Sequence, residues 1–157
     1  MRLQGRDLMK IMLIGKTGSG KTTLTQRLKE LEVEYKKTQM VYYQDEIIDT
    51  PGEYIENKFF YKALNVTASS ANVIGLVQAS TDSVTYFPPN FASMFCGKKV
   101  IGIITKIDLE PDITKASKFL ENAGVSEIIC VGFQDDKSII ELRERLGIEN
   151  EAKNSNS

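Results

Sequence analysis

Gly15-Lys16-Thr17-Gly18-Ser19-Gly20-Lys21-Thr22, set directly after the apolar run Ile11-Met12-Leu13-Ile14, constrains this chain more than any other stretch. It fits the pattern Gly, four residues, Gly-Lys-Ser/Thr, with an apolar strand before it and a helix-forming segment after it, the context the pattern requires. Gly15, Gly18 and Gly20 let the backbone double back and approach an anion without a Cβ in the way. The turned loop points successive N–H groups inward, and the helix behind it adds the positive end of its dipole. An oligophosphate can therefore exchange its water shell for fixed donors. Lys21 reaches the β- and γ-phosphates as a point charge, and the Thr22 hydroxyl suits Mg²⁺. Lys16, Thr17, Ser19 and Thr23 complete the stretch expected to line a nucleoside phosphate.

The rest of the chain must supply the machinery around that loop, and composition limits it. There is no histidine, so imidazole catalysis and His-based metal sites are excluded; acids, bases and ligands must be carboxylates, hydroxyls, lysines or phosphates. A net charge of -1 gives no general attraction to nucleic acid or to an anionic membrane. No apolar run reaches membrane-spanning length, and no signal-peptide pattern is present. Two cysteines, Cys96 and Cys130, read as reduced structural thiols of a cytoplasmic protein rather than as a disulfide framework. At 157 residues the chain fits one domain. The expected division is a nucleotide-binding domain over 1–148 and a short disordered polar tail over 149–157. Met1 to Leu8 reads as a loose extension ahead of a second candidate start, Met9, with an edge strand as the alternative.

In chain order, Lys10 to Ile14 is a strand covered on both faces. Thr22 to Glu30 is a helix carrying Leu24 and Leu28, with Leu31 next in the same spacing, and Lys36, Lys37 and Thr38 open a polar loop. Gln39 to Tyr43 and Glu46 to Asp49 read as a short hairpin. Lys58 to Thr67 is expected helical, Asn72 to Val77 a buried strand, and the segment with Phe91 and Phe95 a short helix after Pro88-Pro89. Val100 to Thr105 is a further strand, Ile113 to Ala123 a helix closed by Gly124, Glu127 to Val131 the last strand and Ser138 to Leu146 the last helix. Alternating strands and helices give an α/β fold of three layers, its sheet mostly parallel with one antiparallel edge strand. In such sheets ligands sit beyond the carboxyl ends of the strands. The phosphate loop, Asp49 and Thr105-Lys106-Ile107-Asp108 all fall just past strand ends.

Asp49 precedes Thr50-Pro51-Gly52, a place where a carboxylate can hold Mg²⁺ while the Gly52 N–H reaches a γ-phosphate. Thr38, expected in a loop, is a second candidate Mg²⁺ ligand and catalytic residue. Lys21, Gly52 and Glu53 complete the candidate catalytic set. Asp108 can accept from both the ring N–H and the exocyclic amine of guanine, whereas adenine presents a lone pair and no amine there. Lys106 can lay its aliphatic stem along the base. Thr105 precedes them at the strand end.

With Tyr35-Lys36-Lys37-Thr38-Gln39, Ile47-Ile48-Asp49-Thr50-Pro51-Gly52-Glu53-Tyr54, Phe87-Pro88-Pro89 and Phe91-Ala92-Ser93-Met94-Phe95, these motifs carry a resemblance. The chain resembles a P-loop NTPase with a Ras-like G domain, and within that class the EutP/PduV family of ethanolamine- and propanediol-utilisation proteins. The resemblance covers about residues 9 to 146. It implies a bacterial cytoplasmic protein binding GTP/GDP (or ATP/ADP) with Mg²⁺, and a microcompartment or metabolic partner protein, with no nucleic acid or membrane involved. For this family both GTPase-like nucleotide binding and acetate kinase activity have been proposed.

Two departures from the GTPase pattern stand out. Val131-Gly132-Phe133 replaces the usual Ser-Ala pair whose backbone N–H meets the guanine carbonyl, so Gly132 and Phe133 are the candidates for that contact. Glu53 replaces the glutamine that orients attacking water; an ionised glutamate cannot donate towards phosphate oxygens. Unaided hydrolysis is therefore expected to be slow, on the order of 10⁻⁴ to 10⁻² per second. Three readings follow: a GTP-dependent switch or assembly factor, an acetate kinase moving phosphoryl between ATP and acetate, and a nucleotide-binding scaffold without turnover. The kinase reading lacks a recognisable acid-binding pair beside the phosphate loop.

Overall fold

The computed structural model describes residues 10–39 and 46–146, with side chains described over 10–30 and 47–146. Strand β1 (Lys10–Ile14) leads through the phosphate loop into helix α1 (Lys21–Gln39). Strand β2 (Glu46–Asp49) is followed by a short helix α2 (Glu53–Glu56), a 3₁₀ turn (Lys58–Phe60) and helix α3 (Tyr61–Ala68). Then come β3 (Val73–Ala79), a 3₁₀ turn (Phe91–Met94), β4 (Lys99–Thr105), α4 (Thr114–Ala123), β5 (Ile128–Cys130) and α5 (Asp136–Arg145).

Among the described residues five strands form one sheet in the order β2-β1-β3-β4-β5, and their pairings are parallel. Because β1 has β2 on one side and β3 on the other, the chain changes direction at β1. The loop leaving its carboxyl end opens at a topological switch point. Side chains alternate between two cores. Met12, Ile14, Ile74, Leu76 and Ile104 meet α3, α4 and the Phe87–Phe91–Phe95 cluster on one face. Ile11, Leu13, Val77, Ile101 and Ile103 meet Leu24 and Leu28 of α1 and Ile139 and Leu142 of α5 on the other. Leu24 and Leu28 are 0% and 1% exposed, each worth about 2 kcal/mol of burial, enough to fix α1 against the sheet. Arg27 of α1 also pairs with Asp136 at the start of α5. At Gly102, a Cβ would stand 2.8 Å from Leu120 Cδ1, so the glycine lets α4 lie close on β4.

The architecture expected from sequence is present, with corrections at particular elements. α1 does not end near Glu30 but continues to Gln39, so Thr38 is helical rather than in a loop. Gln39 closes that helix; the remainder of the expected first hairpin strand, with its antiparallel pairing, lies outside the described residues. β2 is paired parallel to β1, Lys10 opposite Glu46 through Leu13 opposite Asp49. Pro51 and Gly52, which by sequence stop strand pairing and open a loop, lead directly into α2. Gly124 caps α4 as read, at φ 91. The expected tail lies outside the described residues.

Candidate nucleotide site

The carboxyl ends of β1, β2, β4 and β5 surround a cleft of about 710 Å³, lined by Lys16–Gly18, Gly20–Thr23, Asp49–Gly52, Lys106, Asp108, Leu109, Phe133 and Gln134. Gly18 and Gly20 have φ of 84 and 94, a left-handed region that favours glycine. A Cβ on Gly18 would meet nothing within 4 Å, so this part of the loop borders open space. Gly15 is the opposite case: a Cβ there would come 2.6 Å from Ser19 Oγ and 2.8 Å from the Val77 carbonyl. Gly15 and Ser19 therefore build the loop from beneath rather than line it. Ser19 is 1% exposed, and its Oγ has no partner among the described residues.

Lys21 is nearly buried, and Nζ donates to Asp49 Oδ1 at 2.7 Å and to the Thr50 carbonyl at 2.5 Å. Thr50 is fixed in turn by its hydroxyl on the Leu13 carbonyl, at 2.7 Å. Two of the three ammonium donors are thereby used. Thr22 Oγ1 lies 3.3 Å from Asp49 Oδ2, bringing a hydroxyl and a carboxylate oxygen together at the helix start. These are the hard oxygen donors Mg²⁺ takes, with phosphate and water completing the shell. Among the described residues no group of three His, Cys, Asp or Glu gathers to hold a cation without such help. Thr38 is not brought to this place. It lies more than four helical turns beyond Thr22, about 24 Å along the axis at 1.5 Å per residue.

The Thr105-Lys106-Ile107-Asp108 segment is tied directly to the phosphate loop. Thr105 is fully buried and its hydroxyl donates to the Ser19 carbonyl at 2.6 Å; Lys106 Nζ donates to the Gly18 carbonyl at 2.8 Å. Lys106 has φ 64, an uncommon conformation for a residue with a side chain. Its own carbonyl accepts from Ser80 Oγ and from the Leu109 and Glu110 N–H groups, which hold it there. Asp108 follows on the cleft wall beside Gly132, where a Cβ would stand 3.4 Å from Asp108 Cβ and Cγ. The Gly132 N–H is already given to Ser138 Oγ at 3.1 Å. The Phe133 ring packs over Gly20, where a Cβ would be 2.9 Å from the ring.

Gly52 touches the loop closely: a Cβ there would be 2.4 Å from Thr17 Oγ1 and 2.5 Å from Thr17 N. Four residues on, Glu56 Oε2 accepts from the Thr17 N–H at 2.8 Å. That hydrogen bond, helped by the Thr17 hydroxyl and the nearby Lys16, holds the Glu56 carboxyl below the usual carboxylate range. Glu53 is the exposed first residue of α2 and is not part of the cleft wall. Lys16 pairs with Asp82 at 3.4 Å and donates to the Thr17 carbonyl at 3.2 Å. Glu56, Asp82 and Ser138 escape a reading of the sequence. Only Ser138 leaves a local trace, three residues after the helix-capping Asp135.

Comparison with known proteins places this geometry. The family model described as "Ethanolamine utilisation - propanediol utilisation" matches residues 8–148. The chain is 34% identical over 137 residues to the propanediol utilization protein PduV of Citrobacter freundii, covering 86% of this chain and 91% of that protein. It is 30% identical over 138 residues to the probable acetate kinase EutP of Escherichia coli K12, covering 86% and 87%. Among solved structures, the cytosolic domain of the T. maritima FeoB iron transporter in its GMPPNP form aligns with TM-score 0.62 at 19% identity, over 92% of this chain and 65% of that one. The G domain of the same transporter gives 0.58 at 18% identity, over 89% and 97%. Translation elongation factor SelB of Methanococcus maripaludis, in its apo form, gives 0.63 at 17%, over 89% and 32%. The fold is that of a P-loop NTPase of the G-domain type.

Proposed function

The chain belongs to the ethanolamine utilisation–propanediol utilisation family PduV-EutP, and from that premise we propose that it binds GTP and GDP with Mg²⁺ over Gly15 to Thr23 and hydrolyses the triphosphate slowly. The observation that carries the reading is the pair of bonds from Thr105 and Lys106 to the Ser19 and Gly18 carbonyls. They set Asp108 and the phosphate loop on one cleft at fixed separation, as a ligand with a base at one end and phosphates at the other requires. Lys21 and the loop N–H groups take the phosphates, Gly52 faces the terminal one, and Lys106, Asp108 and Phe133 take the base. Thr22 and Asp49 would hold Mg²⁺, which when bound neutralises phosphate charge. Thr38 and Glu53 have no part in this site. The protein acts inside the cell in ethanolamine or propanediol metabolism, through a microcompartment or metabolic partner.

Nucleotide competition tests this directly. GDP is expected to displace a fluorescent guanine nucleotide at least about tenfold more effectively than ADP, the discrimination of one to two base hydrogen bonds. Asp108→Asn is expected to shift preference towards xanthine nucleotides, because the amide can donate where the carboxylate only accepts. Equal ADP and GDP affinity would sink the reading.

The name of the Escherichia coli relative supports a second reading, phosphoryl transfer between ATP and acetate. Against it, the lysines lining the cleft are engaged: Lys16 with Asp82, Lys21 with Asp49, Lys106 with the Gly18 carbonyl. A small carboxylate would have to displace one of them. Acetate-dependent formation of acetyl phosphate from ATP, lost in Lys21→Ala, would establish this second activity.

A further inference from the structure

Resting on the guanine-binding reading above, we infer that Ser138 is a positioning residue for base recognition: its buried hydroxyl commits the Gly132 N–H and leaves the Phe133 N–H to meet the base carbonyl. Ser138 is 8% exposed, on the first turn of α5, behind the turn that leaves β5. Its Oγ accepts from the Gly132 N–H at 3.1 Å and lies 2.9 Å from the Asp135 carbonyl and 3.3 Å from that of Gly132. A hydroxyl has one proton, so the nearer Asp135 carbonyl takes it while the lone pairs face Gly132. The turn is closed further by the Asp135 N–H on the Gly132 carbonyl and by the Asp135 carboxylate capping α5.

Phe133 is consequently fixed from both sides. The peptide before it is held by Ser138, and its ring rests on Gly20 of the phosphate loop. Its N–H lies between these anchors and has no acceptor among the described residues. Gly132 stands against Asp108 and Phe133 lines the cleft with Asp108, so the residue whose N–H has no acceptor and the carboxylate share one cleft. The Phe133 ring on Gly20 then sets the distance from this wall of the cleft to the phosphate loop. Removing the hydroxyl frees the Gly132 N–H and loosens the turn, at the expense of the base contact alone.

The experiment compares GDP, ADP and inorganic pyrophosphate on the full chain by calorimetry. Ser138→Ala is expected to lose about tenfold in GDP affinity, the worth of one well-placed hydrogen bond. ADP and pyrophosphate should change by less than about twofold, a pattern that general destabilisation would not give. Ser138→Thr, which keeps the hydroxyl, should restore the GDP preference. A GDP-to-ADP ratio unchanged in a folded Ser138→Ala protein would overturn the inference while leaving the guanine reading intact. A wild type without GDP preference would overturn both. Should Ser138→Ala fail to fold, amide exchange on the wild type decides: GDP must slow exchange at Phe133 where ADP does not, with Gly132 protected throughout. Equal protection of Phe133 by both nucleotides would overturn the assignment.

Discussion

Lys21 is a nearly buried cation with two acceptors already in place. Its Nζ is satisfied by Asp49 and the Thr50 carbonyl, so its burial carries no unpaired charge. On the proposed nucleotide reading, Lys21→Ala removes the charge-assisted contact to phosphate, and it leaves Asp49, 29% exposed, with the weaker Thr22 contact. Nucleotide affinity is expected to fall by about a hundredfold, or roughly 2.7 kcal/mol, measurable by calorimetry. Lys21→Arg is the sharper test. The guanidinium keeps the charge but is wider, and the Nζ already stands within 2.7 Å of both acceptors. Arginine should therefore recover little of the lost affinity; recovery to within threefold of wild type, on the order of 0.6 kcal/mol, would show that charge without shape suffices.

Among the described elements, α2 carries an ionised side chain that ties it to the phosphate loop. Four residues make too short a helix to persist unaided. It is held by buried Ile55, by Gly52 against Thr17, and by the Glu56 carboxylate on the Thr17 N–H. Because that contact lowers the Glu56 pKa from its ordinary 4.5, its stabilisation is fully present above the unfolded value. It is lost as pH falls through the lowered folded value. The melting-temperature difference between wild type and Glu56→Gln is therefore expected to be constant near neutrality and to close as pH drops below about 4.5. Glu56 is exposed, so the difference will be small, and added salt should shrink it. A difference that persists unchanged at low pH would mean that shape, not charge, holds α2.

The same contact shows why some of the molecule is legible in sequence and some is not. β1, the phosphate loop and the β4 strand end announce themselves because apolar run, glycine spacing and lysine are neighbours in the chain. Thr17 and Glu56 are 39 residues apart, and nothing local marks the glutamate. The α1 boundary failed for a different reason. Leu31 to Lys37 contains no glycine or proline, and Glu and Lys are good helix formers, so the polarity at Lys36 and Lys37 does not by itself mark a loop. The Ser138 hydroxyl acts on Gly132, six residues back, across a strand-to-helix turn whose shape only the fold supplies.

Taken as one object, the molecule assembles its cleft from pieces that meet only when the whole sheet has formed. The phosphate loop follows β1, Asp49 ends β2, Thr105 to Asp108 follow β4, and Phe133 follows β5. An unfolded chain holds none of these in place, so nucleotide binding must be coupled to global stability. At a free concentration of one hundred times its dissociation constant, a ligand binding the native state alone adds about 2.7 kcal/mol. For a chain of this size that raises the melting temperature by about 5 to 10 °C. GDP with Mg²⁺ is expected to give such a shift in a thermal melt, and ADP at the same concentration a smaller one. Lys21→Ala, with its hundredfold weaker binding, should cut the GDP shift to about 0.4 kcal/mol, or about 1 to 2 °C, and the ADP shift with it, since the phosphates are shared; Asp108→Ala should remove only the excess of GDP over ADP. If Asp108→Ala lost the two shifts equally, the β4 end would be serving the architecture of the phosphate loop through Thr105 and Lys106 rather than reading a base.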